Sequence, residues 1–366
     1  MTKTIDDADR KRDGALPSNP AEGAVPMDEN GDTFAPSEWD ALWKPLDSET
    51  FSAPPPKRSW LLNKVLPLGK VGMLAAEGGA GKTMALCQLA LAVATGRPWL
   101  GNLAVAQAAV GRVLLVLGEE DAEEVRRRMW NASRAMGLGT GETASAAKRI
   151  VALPLAGVPC SFLERETKGG ELADSRFAKW LRSKLAEPGD PWRLIVLDPL
   201  SRFAGADAET DNAAATRFIQ SVEALATSTG ATALVAHHTN KLARGTGTTT
   251  NTSGARGSSA LTDGARWVAT LSTEELAHDD VVVADRLRRV VTFKVTKSNY
   301  AKPAAEIMLR HDNENGGALL PCDEADTRLV NEARGRMKGG EKDARGTTAK
   351  AKTAGSNDVE EKPYPT

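Results

Sequence analysis

Cysteine is scarce in this chain: three in 366 residues, Cys87, Cys160 and Cys322. They share no metal-ligand spacing and are too few for a disulfide framework, so they read as ordinary thiols of a reducing compartment. Net charge is scarce as well. Lys and Arg number 47 against 48 Asp and Glu, a balance of −1 that by itself says nothing about a polyanionic partner; any nucleic-acid surface has to be local. Long apolar runs are missing. The richest, near Met84–Ala94, is too short for a bilayer, and the opening MTKTIDDADRKRDG has no apolar h-region. These absences predict a cytoplasmic protein with no membrane partner. Internal repeats are also lacking.

Large apolar residues are thin at both ends. Residues 1–53 carry an acidic excess with scattered Pro, Gly and Ser, and residues 331–366 run through GRMKGGEKDARGTTAKAKTAGSNDVEEKPYPT. Neither stretch has enough apolar surface to offset its chain entropy, so both are expected to be disordered extensions. That leaves residues 54–330 as one folded domain.

Within it, strand and helix patterns alternate. Val71–Ala75, Arg112–Leu117, Ile150–Leu153, Leu194–Leu197 and Ala231–Ala236 read as strands; Lys82–Ala94, Ala122–Met136, Ala173–Leu185 and Ala213–Thr227 read as helices. Continuous apolar runs such as VLLVL and LIVL suit strands covered on both faces, as in a parallel α/β sheet. From Trp267 onward RWVATL, VVVADRLRRVVTFKVTKS and AEIMLR predict an antiparallel extension of that sheet.

The strongest chemical signal is LAAEGGAGKTMALCQLALAVAT, Leu74–Thr95. An apolar strand enters a glycine-rich turn and leaves as a helix. Gly78, Gly79 and Gly81 allow successive N–H groups to converge on one anion, and the helix adds its positive end. The run Glu77-Gly78-Gly79-Ala80-Gly81-Lys82-Thr83-Met84 is thus a candidate nucleotide-binding loop, with Lys82 reaching the β- and γ-phosphates and the Thr83 hydroxyl holding Mg²⁺. The usual pattern asks for glycine where this chain has Ala76.

Further acids stand at strand ends. Asp198 closes RLIVLD, where a carboxylate beside a phosphate loop binds Mg²⁺ directly or through water. Glu119-Glu120-Asp121 follows VLLVLG. Glu119 is the candidate that orients a water for in-line attack, Glu120 the substitute, and Asp121 a helix N-cap. Arg126, Arg127 and Arg128 read as a solvated helix face with internal ion pairs. The strand ALVA runs into His237 and His238, a place for a polar sensor of the γ-phosphate; adjacent strand residues point apart, which disfavours a shared metal. Residues 242–257, LARGTGTTTNTSGARG, hold Arg244 and Arg256 with no acid, and Lys241 precedes them. This is either a basic loop gripping a polyanion or a plain surface loop. Arg266, in GSSALTDGARW, is either an internal salt-bridge partner or an arginine finger offered to a neighbouring subunit.

In their order, AAEGGAGKT, LGEEDAEEVRRRM, LIVLDPLSRF, LVAHHTNK, RGSSALTDGARW and VTKSNY resemble the RepA-type hexameric replicative helicases of plasmids, within the RecA-like P-loop ATPase superfamily. The resemblance spans residues 59–309. It implies a RecA-like ATPase core with a mostly parallel sheet flanked by helices, and a ring that hydrolyses Mg²⁺–ATP on single-stranded DNA during plasmid or mobile-element replication. By the same resemblance Glu119 is the base, Asp198 the Mg²⁺-associated acid, His238 the γ-phosphate sensor, Arg266 the finger, and Lys241 to Arg256 the DNA-facing loop. Implied partners are further copies of the chain and a primase or replication initiator. A RecA-like regulatory ATPase of the circadian-clock or recombination kind, or a helicase loader, remains the alternative reading.

Overall fold

The computed structural model describes residues 46–165, 170, 172–205, 208, 211–239, 259–276 and 285–335. Most of both charged extensions, and Lys241, Arg244 and Arg256, lie outside the described residues. The chain divides into two units, Met1–Lys57 and Arg58–Thr366. The first contributes a short helix, α1 (Ser48–Ser52), started by the Asp47 carboxylate, which accepts from Thr50 N at 2.7 Å.

The second unit begins with a small ladder, β1 (Trp60–Leu62) against β2 (Leu66–Pro67). Then β3 (Val71–Glu77) leads into α2 (Lys82–Thr95), β4 (Arg112–Leu117) into α3 (Ala122–Ala135) and α4 (Thr140–Ala147), and β5 (Ile150–Pro154) follows. A hairpin of β6 (Leu163–Arg165) and β7 (Leu172–Asp174) precedes α5 (Arg176–Leu185). Next come β8 (Trp192–Asp198), α6 (Leu200–Ala204), α7 (Asn212–Thr229), β9 (Thr232–Thr239) and α8 (Ser259–Gly264). The last strands are β10 (Trp267–Glu275), β11 (Arg289–Ser298), β12 (Ile307–Asp312) and β13 (Ala318–Pro321), before a helix over 324–335.

Nine strands form one sheet in the order β13-β12-β11-β10-β3-β9-β8-β4-β5. From β10 to β5 all neighbours are parallel; β11, β12 and β13 are antiparallel. Every residue of β3 is buried, as a central strand with helices on both faces requires. Alternate residues feed two cores. Leu74, Val113, Leu115 and Leu117 join α2 and the β10–β11 side chains on one face, whereas Met73, Leu114 and Val116 join α5, α6 and α7 on the other, the period-two consequence of the pleat.

Two sequence expectations are corrected. The segment Ala173–Leu185 is not wholly helical: Ala173 lies in β7, and the helix starts at Arg176 because the Ser175 hydroxyl caps it, accepting from Ala178 N at 3.1 Å. The strand after Trp267 does not begin the antiparallel extension, because β10 runs parallel to β3 and the reversal comes at β11. The two short hairpins and β13 have no counterpart in the sequence reading. All three cysteines are protonated at neutral pH: burial pushes the Cys87 thiol up to about 12 and Cys322 up to about 11, and also raises Cys160. Among the described residues no helix is long and apolar enough to cross a membrane.

Trp99 ties the phosphate-loop helix to the sheet. It is fully buried, its indole N–H donates to Ala85 O at 2.8 Å, and its ring meets Phe293 edge-on at 5.3 Å. Trp99→Ala should lower the unfolding free energy by about 3–5 kcal/mol in urea titrations, since it leaves a large cavity and removes the indole hydrogen bond.

Candidate functional site

The strand β3 delivers the chain to Glu77, and residues 78–81 turn it into α2. The turn is closed by Ala80 N donating to Glu77 O at 3.1 Å. Gly79 and Gly81 adopt φ of 75° and 83°, a left-handed region that a side chain disfavours. Ala76 explains its own departure from the pattern. It is an interior residue of β3, paired with His238 and Leu271, where any small residue satisfies the strand.

The carboxyl ends of β3, β9 and β8, adjacent in the sheet, bring four sequence candidates together. Asp198 accepts from Lys82 Nζ at 2.7 Å through Oδ1 and from Thr83 Oγ1 at 2.7 Å through Oδ2. Lys82 Nζ also donates to His238 Nε2 at 3.3 Å. Lys82 is 5% exposed and Asp198 4%, so this clasp sits in a low-dielectric environment where charge-assisted bonds are strong. His237, one residue earlier, is buried on the other side of β9.

A cavity of about 600 Å³ opens at this point. One wall holds Gly79, Gly81, Lys82, Thr83, Met84 and His238. Glu77 reaches it too, although its Oε2 accepts from Thr273 Oγ1 of β10 at 2.8 Å. The opposite wall was not anticipated from the sequence: Arg128 from α3, Arg286 and Arg288 from the turn that precedes β11, Arg289 from its first position, and His311 with Gly316 and Gly317 from the β12–β13 hairpin. The DRLRR run was visible, but only as part of a strand pattern. Burial, together with the charge of Arg289, pushes the His311 imidazole below the usual histidine range, against a smaller opposing pull from Gly317. Its Nδ1 lies 3.2 Å from Gly317 O. A carbonyl only accepts, so Nδ1 carries the proton and Nε2 is a bare acceptor.

The acids after β4 separate. Glu119 is 44% exposed, with its Oε1 3.5 Å from Arg202 Nε. Glu120 is more enclosed and pairs with Arg128 Nη2 at 2.9 Å. Asp121 caps α3, accepting from Glu124 N at 2.8 Å. Of the arginines expected on a solvated face, Arg127 pairs with Glu124 as read; Arg128 departs, being drawn inward to Glu120 and Glu124 and onto the cavity wall.

Arg266 stands apart from all of these. Its backbone N–H donates to Val71 O at 3.0 Å, and its Nη2 lies 3.9 Å from Glu223 Oε1. It therefore sits at the start of β3, opposite the loop that follows the end of that strand.

These residues suit a magnesium–nucleoside triphosphate. A hydroxyl and a carboxylate side by side are the oxygen donors Mg²⁺ accepts, and among the described residues no group of three or more His, Cys, Asp or Glu forms a cage made of protein alone. That is the usual arrangement for Mg²⁺, which takes its remaining ligands from phosphates and water. The fold is α/β, with a mostly parallel sheet and antiparallel C-terminal strands. The AAA domain family matches residues 37–244, more than half of the chain, and the chain belongs to that family. Among solved structures it is similar to an ATPase domain, at 14% identity over 69% of this chain and 85% of that one, with a TM-score of 0.45. It is also similar to the KaiC-like protein PH0186 from Pyrococcus horikoshii OT3, at 14% identity over 74% of this chain and 100% of that one, with a TM-score of 0.43.

Proposed function

We propose that the chain is an ATP-hydrolysing DNA motor: a helicase or translocase that assembles as a homo-hexameric ring on single-stranded DNA during plasmid or mobile-element replication. The observation that carries the ATPase part is the convergence of Lys82, Thr83 and His238 on one cavity beside a glycine loop, with Asp198 bonded to both Lys82 and Thr83 behind it. The backbone N–H groups of residues 78–83 cradle the phosphates, and Lys82 neutralises the β- and γ-oxygens. Thr83 and Asp198 hold Mg²⁺, whose charge stabilises the phosphoryl transition state when it is bound.

Glu119 orients the attacking water and accepts its proton as the oxygen–phosphorus bond forms and the β–γ bridge breaks. Glu120, already held by Arg128, is the alternative base. His238 hydrogen-bonds the γ-phosphate at the end of β9, and the basic side chains that follow soon after in the sequence, Lys241, Arg244 and Arg256, grip DNA. Loss of the γ-phosphate then changes the grip. Arg266 acts on the site of a neighbouring subunit. The flanking extensions, 1–53 and 331–366, recruit a primase or initiator.

ATP turnover should rise several-fold or more on adding single-stranded DNA, with the mass of the active assembly matching a ring, and a forked duplex should be displaced in an ATP-dependent way. Turnover indifferent to DNA would end the motor reading. DNA-stimulated turnover without displacement would move the protein to the loaders or recombination ATPases.

A further inference from the structure

The basic wall facing the phosphate loop has one member whose chemistry is unspent. Arg289 opens β11, and β11 reaches the cavity because β10 lies directly beside β3. A Cβ built on Gly79 would sit 3.1 Å from Arg289 Nη2 and 3.4 Å from Nη1. Both terminal nitrogens therefore hang over the apex of the loop, and any larger residue at position 79 would push the guanidinium away.

The other wall arginines differ from it. Arg128 pairs with Glu120 and Glu124, and Arg286 with Asp326. Arg289 has no hydrogen-bond or ion-pair partner among the described residues, and its Nε is buried without an acceptor. A guanidinium brought this far out of water needs an anion to offset its lost hydration. Its neighbour His311 does not compete for that anion, since its Nδ1 proton is committed to Gly317 O and its Nε2 is an acceptor.

We propose that Arg289 is a second triphosphate ligand supplied in cis, a guanidinium from the antiparallel strands that closes on the β- and γ-phosphates from the side opposite Lys82. The proposal rests on the nucleotide reading of the cavity and extends it to a residue outside the P-loop motifs. Its geometry suits the task, since a planar fork of donors matches phosphate oxygens better than a point charge does. It is also distinct from Arg266: Arg289 belongs to the same chain as the loop it covers, so its contribution is present in a single subunit.

Calorimetric titration of the full-length protein with Mg²⁺–ATP and Mg²⁺–ADP tests this. Arg289→Gln should weaken ATP binding by about tenfold to a hundredfold, and ADP binding less, while thermal unfolding without nucleotide stays where it was. Unchanged ATP affinity in a folded Arg289→Gln protein overturns the proposal. Lys82→Ala, run alongside, guards the underlying reading: if that variant keeps full ATP affinity, the nucleotide is not held by this loop at all, and it is the site that fails. Should the glutamine variant lose its fold, Arg289→Lys decides. Charge without the fork should bind ATP several-fold more weakly than wild type, and equal affinity overturns the assignment.

Discussion

Lys82→Ala is expected to lower ATP turnover by about 10²–10³-fold, the usual loss when one preorganised donor to a transition-state charge is removed. Phosphate release at saturating Mg²⁺–ATP measures it. The buried clasp adds a second effect. Because Lys82 and Asp198 are 5% and 4% exposed and 2.7 Å apart, deleting the lysine strands a carboxylate left with the Thr83 hydroxyl as its side-chain donor. Breaking such a buried pair typically costs about 3–5 kcal/mol, so the variant should also melt earlier. The two effects separate in the double variant Lys82→Met with Asp198→Asn, which removes both charges. It should recover much of the lost stability and none of the turnover. A Lys82→Ala protein with wild-type turnover would sink the site.

Arg266→Ala should lower turnover by about 10³–10⁵-fold if the residue serves as a finger. The sheet explains why that service has to come from another subunit. Trp267 is in register with Gly72, which puts Arg266 opposite Val71, six residues before Glu77; at about 3.3 Å per residue Arg266 is roughly 20 Å from the loop of its own chain. An arginine side chain does not span that distance. Within its own chain it faces Glu223 at 3.9 Å, with Arg266 half exposed, and a surface pair of that kind contributes about 0–1 kcal/mol. The two roles therefore predict different results. As a mere surface pair, Arg266→Ala would leave turnover intact. As a finger, inactive Arg266→Ala mixed with inactive Glu119→Gln should regain activity, because some boundaries would combine an intact base with an intact arginine. No rescue at any mixing ratio argues against shared sites, and rescue with Glu120→Gln instead would name Glu120 as the base.

How legible the molecule was depended on the range of the interactions involved. The phosphate loop is local: a buried strand, glycines at the positions of positive φ, and a helix start all lie within about twenty consecutive residues, so Lys82 and Thr83 could be read directly. Asp198 and His238 were found because each ends an apolar strand, and a parallel sheet gathers such ends on one side. The wall opposite was hidden because nothing in DRLRRVV says which strand it will lie near. That is decided by β10 pairing with β3 across nearly two hundred residues, and no local pattern encodes the pairing. The start of α5 was misjudged for a different reason. Helical periodicity runs back to Ala173, yet Ser175 competes for the first free N–H groups and marks the boundary; the cap was in the sequence and was outweighed by the period.

The Asp198 clasp has a bearing on how the protein can cycle. Since Lys82 and Thr83 already occupy both carboxylate oxygens, taking up magnesium and a triphosphate is an exchange of partners rather than a gain of new ones. The gain at this carboxylate is correspondingly small, and Asp198 returns to Lys82 and Thr83 as soon as products depart. A site that exchanges its ligand repeatedly has to let go without losing its shape between one substrate and the next, and this carboxylate gives the loop a resting partner during every such interval.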